Sequence, residues 1–209
     1  MGPMYLDVFD RNDFGTNCWL VAADGTDEAV VIDPGFSPDR VHAMLRDAGK
    51  RPVAVLATHG HFDHIGSAGE FCGDDLPLYM HEADRLALED PRAWGSGFPV
   101  PPIPVKEVRT VVDGDRLDFA GFSIEVLHTP GHTPGSVCFA TDGWLFAGDL
   151  VFRGSIGRSD FPNSSAEDME KSLRRFLALA DPLPVYPGHG PDTTVGLERR
   201  TNPFLLEIS

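Results

Sequence analysis

Three histidines and a carboxylate crowd into the segment Thr58-His59-Gly60-His61-Phe62-Asp63-His64. The segment follows an apolar run, and a turn at the end of a strand can aim alternate side chains into one pocket. In that arrangement His59 and His61 present two neutral imidazoles to one metal ion, while Asp63 and His64 face a different direction and can hold a second. Three later segments share a design in which a polar residue sits among Gly or small residues just past an apolar run. They are Thr129-Pro130-Gly131-His132, Phe146-Ala147-Gly148-Asp149 and Tyr186-Pro187-Gly188-His189-Gly190. Glycine permits the tight turn and the close backbone approach that deliver a His or Asp at a strand end. With the first cluster these segments supply five imidazoles and two carboxylates, enough for two metal ions with positions left open for water. A carboxylate can bridge two cations, and Asp149, alone on its loop, is placed to do so.

Such loops need strands to carry them. Asn17 to Ala23 and Ala29 to Ile32 are β-branched or apolar and end in the turn signals Asp24-Gly25 and Pro34-Gly35, which predicts a pair of strands. Ser37 is placed to cap a helix with Val41, Met44 and Leu45 on one face, stopping near Gly49, and Pro52 to Ala57 reads as a buried strand. The pattern then predicts a helix from His64 to Phe71, a strand over Pro77 to Met80 and a helix over Glu82 to Leu88. Prolines from Pro91 to Pro104 mark an irregular stretch, either a flap near the site or a solvated connector. Strands are expected at Ser123 to Leu127, Val137 to Ala140, Trp144 to Phe146 and Leu183 to Tyr186. Ser164-Ser165-Ala166-Glu167 resembles a capping box opening a helix with Met169, Leu173, Phe176 and Leu177 inward. Each half runs from strands into a helix and back to a strand. Two facing mixed sheets with helices on the outer faces, an α/β four-layer sandwich, would bury these strands on both sides.

The chain has 209 residues, 42% of them hydrophobic, which fits one domain over residues 1–209 with a substantial core. Lys and Arg total 17 against 32 Asp and Glu, a formal charge of -15 that disfavours a nucleic-acid partner or an anionic membrane face. No apolar run approaches the roughly 20 residues of a membrane span, and no cationic leader precedes an apolar stretch, so a cytoplasmic protein is expected. Cys18, Cys72 and Cys138 have no Cys-X-X-Cys spacing and read as buried free thiols.

In order, His-X-His-X-Asp-His, His, Asp and His resemble the defining pattern of the metallo-β-lactamase superfamily, matched here from His59 to His189. Val31-Ile32-Asp33-Pro34-Gly35 is similar to that family's earlier strand-turn element. The resemblance implies the αββα fold, one metal ion on His59, His61 and His132, a second on Asp63, His64 and His189, and Asp149 between them. It implies a supporting rather than ligating role for Asp33. His81 and His128 lie outside the pattern, and His42 is expected to be solvated.

Within the superfamily, Leu127-His128-Thr129-Pro130-Gly131-His132-Thr133-Pro134-Gly135-Ser136 is similar to glyoxalase II-like thioester hydrolases. Gly154 to Pro162 and Asn202-Pro203-Phe204-Leu205 look like segments of the single-domain members. The chain departs from full-length glyoxalase II enzymes in two places. Only 20 residues follow His189, leaving no helical glutathione-holding domain, and Arg158-Ser159-Asp160-Phe161 stands where those enzymes carry Lys-Phe-Tyr. Gly-Arg-Ser-Asp-Phe also resembles persulfide dioxygenases, which use one iron. The implied reaction is hydrolysis of a small thioester of the S-lactoylglutathione type at a dinuclear centre, with Zn2+ expected and Fe or Mn as other occupants. The cations would make hydroxide available near neutrality and polarise the carbonyl, with Asp63 also orienting the hydroxide. The alternatives are a mononuclear-iron persulfide dioxygenase and, further off, a lactonase or β-lactamase. Arg158 is a candidate for binding a substrate carboxylate, or else a structural partner of Asp160; Arg153 is a weaker candidate. Trp94, Phe98 and Phe161 could line an apolar mouth.

Overall fold

A computed structural model describes residues 4–73, 75–90, 102–119 and 121–208. The first half contains β1 (Met4–Phe9), β2 (Cys18–Ala23), β3 (Glu28–Ile32), α1 (Pro38–Ala48), β4 (Arg51–Leu56), α2 (Phe62–Ile65), α3 (Ala68–Phe71) and β5 (Leu78–His81). A 3-10 turn over Glu82–Asp84, α4 (Leu86–Glu89) and β6 (Val108–Val111) complete it. The second half contains β7 (Arg116–Phe119), β8 (Phe122–His128), β9 (Val137–Ala140), β10 (Leu145–Gly148), and the short pair β11 (Val151–Phe152) and β12 (Ser155–Ile156). It ends in α5 (Ala166–Leu177), β13 (Pro184–Pro187), β14 (Thr193–Thr194), α6 (Val195–Thr201) and α7 (Pro203–Glu207).

One six-stranded sheet has the order β1-β2-β3-β4-β5-β6 and the other β14-β13-β10-β9-β8-β7. Both are mixed: β3-β4-β5-β6 pair in parallel after two antiparallel pairs, and β13 pairs in parallel with β10 within an otherwise antiparallel sheet. Strand alternation explains the layering. Along β2, Trp19 and Val21 join Val30, Ile32, Leu56, Phe122, Ile124, Phe139 and Phe146 between the sheets. Leu20 and Ala22 turn the other way, to Val31, Val41, Met44 and Leu45 under α1. On the far face of the second sheet, Leu145 and Val185 meet Met169, Leu173 and Phe176 of α5 and Leu205 of α7. Strands covered on both faces read as continuous apolar runs, and each large side chain removed from water contributes about 1.5–3 kcal/mol before the entropy of ordering it. The αββα sandwich expected from the sequence is the fold.

Several local expectations are corrected. Ser37 occupies the N-cap of α1 but makes no side-chain cap bond; Pro38 in the first turn and left-handed Gly49 at the other end define that helix. The single helix predicted from His64 to Phe71 is two short ones, because the Ser67 N–H donates to the Gly35 carbonyl at 2.8 Å instead of extending the ladder. The helix over Glu82 to Leu88 likewise divides into the 3-10 turn and α4. The cap of α5 falls one residue later than the expected Ser164–Glu167 box: Ser165 accepts from the Asp168 N–H, and Ser164 Oγ donates to the His132 carbonyl. Trp94, Phe98 and most of the proline-rich stretch fall outside the described residues. Among those described, no helix is long and apolar enough to cross a membrane.

Candidate metal centre

The ligand-type residues sit past the ends of β4, β8, β10 and β13, the first in one sheet and the others in the second. Backbone bonds fasten the two sheets together there. The Val137 N–H donates to the Thr58 carbonyl at 2.8 Å, and the Asn17 N–H to the Gly188 carbonyl at 2.7 Å.

His59 Nε2 lies 3.0 Å and His132 Nε2 2.8 Å from His61 Nδ1, so three ring nitrogens converge on one point. Three groups of donors, each with its atoms within 4.8 Å of one another, emerge among the described residues: His59, His61 and His132; His59, His64 and Asp149; and Asp63, His64 and His189. Asp149 joins them. Its Oδ2 is 3.3 Å from His132 Nε2 and 3.6 Å from His189 Nε2, and its Oδ1 is 3.5 Å from His64 Nε2. Asp63 Oδ2 lies 3.3 Å from His189 Nε2 and 3.6 Å from His64 Nε2.

The outer nitrogens explain why these rings can present lone pairs inward. His132 Nδ1 donates to the Arg158 carbonyl at 2.7 Å, His189 Nδ1 to the Gly15 carbonyl at 3.1 Å, and His64 Nδ1 to Asp33 Oδ2 at 2.9 Å. His59 Nδ1 donates to Thr58 Oγ1 at 3.1 Å, and that hydroxyl donates in turn to Asp33 Oδ2 at 2.7 Å. A proton held on the outer nitrogen leaves the inner one unprotonated and oriented, the arrangement a metal-binding imidazole requires.

Two observations test whether this set suits a cation. Asp149 Oδ1 is buried and has no hydrogen-bond partner, a costly state for a carboxylate oxygen unless a cation satisfies it. Gly188 lies so close that an added Cβ would press on Asp149 Oδ1 and come within 2.7 Å of His64 Cε1. The backbone here has made room for the donor cluster and nothing larger. A donor set of imidazoles and carboxylates suits zinc, iron or manganese.

The electrostatics agree. Burial alone would lower the His64 pKa, yet the Asp149, Asp63 and Asp33 carboxylates outweigh it and hold it at about 10. Burial opposes protonation of His189 as well, but Asp63 and Asp149 raise it. Asp63 is held below the ordinary carboxylate range: its burial acts the other way and is overcome by His64, His189 and His61. His59, buried and surrounded by imidazoles, is pushed well below the usual histidine value. A negative field strong enough to keep protons on two imidazoles also favours a multivalent cation in their place.

Asp63 and His189 are the more open members of the cluster, with His189 29% exposed. Phe161 packs its ring against His61 at 5.4 Å and His132 at 5.8 Å, and Phe152 faces His189 at 5.9 Å, so aromatic walls stand on either side. Arg158 lies over the Phe161 ring at 4.3 Å, while its Nε and one terminal nitrogen donate to Asp160 at 2.8 and 3.0 Å. Its backbone, through the His132 contact, is already part of the site. Arg153 is exposed on the loop between β11 and β12. His81 and His128 stack on each other at 4.1 Å and belong to none of the donor groups. His42 is exposed against Phe71.

Sequence reasoning missed the supports. Thr16 Oγ1 donates to Asp63 Oδ2 at 3.0 Å from the loop before β2, and Gly15 on the same loop receives His189. Asp84 accepts from the backbones of two ligand loops. The strand-turn element around Asp33 did carry a signal, and its carboxylate holds His64 and Thr58 as a supporting residue would.

Fold and site together define an αββα metal-dependent hydrolase. The sequence matches the metallo-beta-lactamase superfamily over residues 11–189, and the chain belongs to that family. Its relatives include an uncharacterized protein of Mycobacterium tuberculosis, 38% identical over 99% of this chain and 100% of that one. A probable metallo-hydrolase, YqgX of Bacillus subtilis, is 34% identical over 92% of this chain and 93% of its own length. The hydroxyacylglutathione hydrolase GloC of Haemophilus influenzae is 33% identical over 97% of this chain and 98% of its own. Among solved structures, TTHA1623 in a di-iron-bound form superposes with a TM-score of 0.81 at 41% identity, covering 95% of this chain and 100% of that one. BLEG-1 B3 metallo-beta-lactamase reaches a TM-score of 0.86 at 33% identity, covering 96% and 99%. ETHE1 from Myxococcus xanthus reaches 0.79 at 26% identity, covering 97% and 85%.

Proposed function

We propose that the protein is a dinuclear metal hydrolase, zinc-dependent and cytoplasmic, that cleaves a small thioester of the S-lactoylglutathione type. The observation that carries the dinuclear reading is the buried Oδ1 of Asp149, which has no hydrogen-bond partner and is set between the three-histidine group and the Asp63, His64, His189 group. The thioester is supported by the likeness to GloC along nearly the whole of both chains and by the Thr129 to Ser136 segment. His59, His61 and His132 would hold one ion, Asp63, His64 and His189 the other, and Asp149 would touch both. Divalent ions bound there supply an activated water and a Lewis acid for the carbonyl.

The chain's own residues do the rest. Asp63 stays ionised because the imidazoles lower its pKa, so it can only accept; Thr16 fixes Oδ2, and Oδ1 is left to accept a hydrogen bond from the attacking water and so aim its lone pair. The thiol leaves as a thiolate and needs no dedicated acid. Phe161 and Phe152 narrow the approach, and Arg158 stands at the rim, where a substrate carboxylate would compete with Asp160 for its guanidinium. The three cysteines are free and buried, with burial raising Cys72 and Cys138 to about 12, so none serves as a nucleophile.

A second reading, an iron-dependent persulfide dioxygenase, is favoured by the likeness to ETHE1 and by Gly157-Arg158-Ser159-Asp160-Phe161. One metal-quantified preparation decides between them. About two zinc ions per chain, thioester hydrolysis and no oxygen uptake support the hydrolase; one iron per chain with oxygen consumed on glutathione persulfide sinks it. A lactone and a β-lactam belong in the same assay.

A further inference from the structure

The Asp84 carboxylate is fully buried, belongs to none of the donor groups, and spends both oxygens on the two loops that bring three histidines together. Oδ2 accepts from the Gly60 N–H at 2.7 Å and from Thr133 Oγ1 at 2.6 Å; Oδ1 accepts from the Gly135 N–H at 2.7 Å. Gly60 is the residue between His59 and His61, and Thr133 is the residue after His132. The first loop follows a strand of one sheet and the second a strand of the other. Nothing covalent sets their spacing. The 3-10 turn that carries Asp84 is a third element, anchored by β5, and its carboxylate meets both.

We propose that Asp84 is a positioning residue that sets the distance between the His59–His61 loop and the His132 loop, and so governs cation affinity at the three-histidine site. Charge-assisted bonds to two backbone N–H groups and a hydroxyl are short and directional. They leave the loops little freedom to separate. Gly135 is matched to this contact, since a Cβ there would lie 2.6 Å from the carboxylate. The other group of donors has separate supports: Thr16 for Asp63, Gly15 for His189 and Asp33 for His64. Loss of Asp84 therefore acts on one site and spares the other. A residue that merely held the fold together would weaken both alike.

The near-isosteric Asp84→Asn makes the test. Its carbonyl oxygen can face Gly60 or Gly135, but its NH2 must then face the remaining backbone N–H, donor against donor. Whichever way the amide turns, one loop exchanges a backbone bond for a donor–donor contact: the Gly135 bond is lost when the oxygen faces Gly60 and Thr133, and the Gly60 bond when it faces Gly135. Thr133→Val is the milder variant, removing the hydroxyl donor while keeping both backbone bonds.

The inference rests on the dinuclear reading, so zinc is titrated against a competing chelator into full-length wild type, Asp84→Asn and Thr133→Val, with thermal unfolding of each metal-free protein as a control for folding. The expected result is one zinc ion weakened about 10–100-fold in Asp84→Asn, the other unchanged, and the same ion weakened less in Thr133→Val. Equal weakening of both ions, or of neither in a folded variant, overturns the proposal. If Asp84→Asn does not fold, Thr133→Val decides by the same criterion. A wild type that binds a single zinc refutes the dinuclear reading instead; the proposal then stands if Asp84→Asn weakens that ion and falls if it does not.

Discussion

His64 Nδ1 and Asp33 Oδ2 lie 2.9 Å apart with both side chains out of contact with water. Asp33 is also the non-glycine residue with a left-handed backbone among those described, at φ 51°. Asp and Asn tolerate that region better than other side chains, so Asp33→Asn removes the charge without adding strain. It weakens the field that orients His64 and leaves Thr58 one acceptor oxygen in place of two. Metal affinity is expected to fall about 10–100-fold, read by chelator competition, with secondary structure intact. Undiminished affinity would show that the His64 tautomer is fixed by something else.

The seven donor residues were legible because they lie in short contiguous motifs, where a glycine beside a histidine or aspartate announces a turn at a strand end. The sandwich was legible because strands buried on both faces lack a polar side. Asp84 and Thr16 were not legible. Each acts alone, across 24 to 51 residues in the case of Asp84 and 47 in that of Thr16, and a lone acid or hydroxyl in a sequence has no spacing to betray it. The division of the predicted 64–71 helix had the same cause. The Ser67 N–H is claimed by Gly35, a tertiary contact that no local propensity contains.

Asp63 stands apart from the imidazoles because it can both hold a cation and accept a hydrogen bond. Asp63→Ala should reduce turnover by orders of magnitude, whereas Thr16→Val removes only the 3.0 Å bond to Oδ2. Losing one hydrogen bond to a charged group costs about 1.5–3 kcal/mol, so Thr16→Val should slow turnover roughly 10- to 150-fold, entirely in kcat if the bond matters most as the reaction proceeds. Near-normal activity of Asp63→Ala with both metal ions bound would remove Asp63 from the catalytic assignment.

Gly188→Ala tests the room left for the donors. The added methyl would crowd Asp149 Oδ1 and lie 2.7 Å from His64 Cε1, and His64 is held from its other ring nitrogen by Asp33. Metal content measured by elemental analysis should drop for both ions, because Asp149 faces each group of donors. The β10–β13 pairs Leu145–Val185 and Phe146–Tyr186 lie before the Gly148–Pro187 end that adjoins Gly188, so the far-ultraviolet circular dichroism should be retained. Full metal content in this variant would mean that the loop yields easily and that the close fit is incidental.

The His81–His128 stack, with ring planes 7° apart, makes the fold sensitive to acid outside the metal centre. Burial pushes His81 below its ordinary value of 6.5, and His128 adds to the shift against a smaller opposite pull from Glu82. Asp113, which accepts from the His128 N–H and pairs with Arg175, is the nearby acid on the other side. As pH falls, the unfolded chain takes up its proton before the folded one does. The contribution of His81 is therefore whole above the unfolded value and is lost as the pH drops from there toward the lower folded value. Protonation also takes the Nδ1 lone pair that accepts from the Ala83 N–H at 3.2 Å. Between about pH 7 and 5 the Tm of wild type should fall more steeply than that of His81→Gln. Acid also releases metal ions and lowers Tm by that route, so the comparison is made on metal-free protein as well. Parallel slopes for the two proteins in both states would show that the stack carries no proton-linked stability.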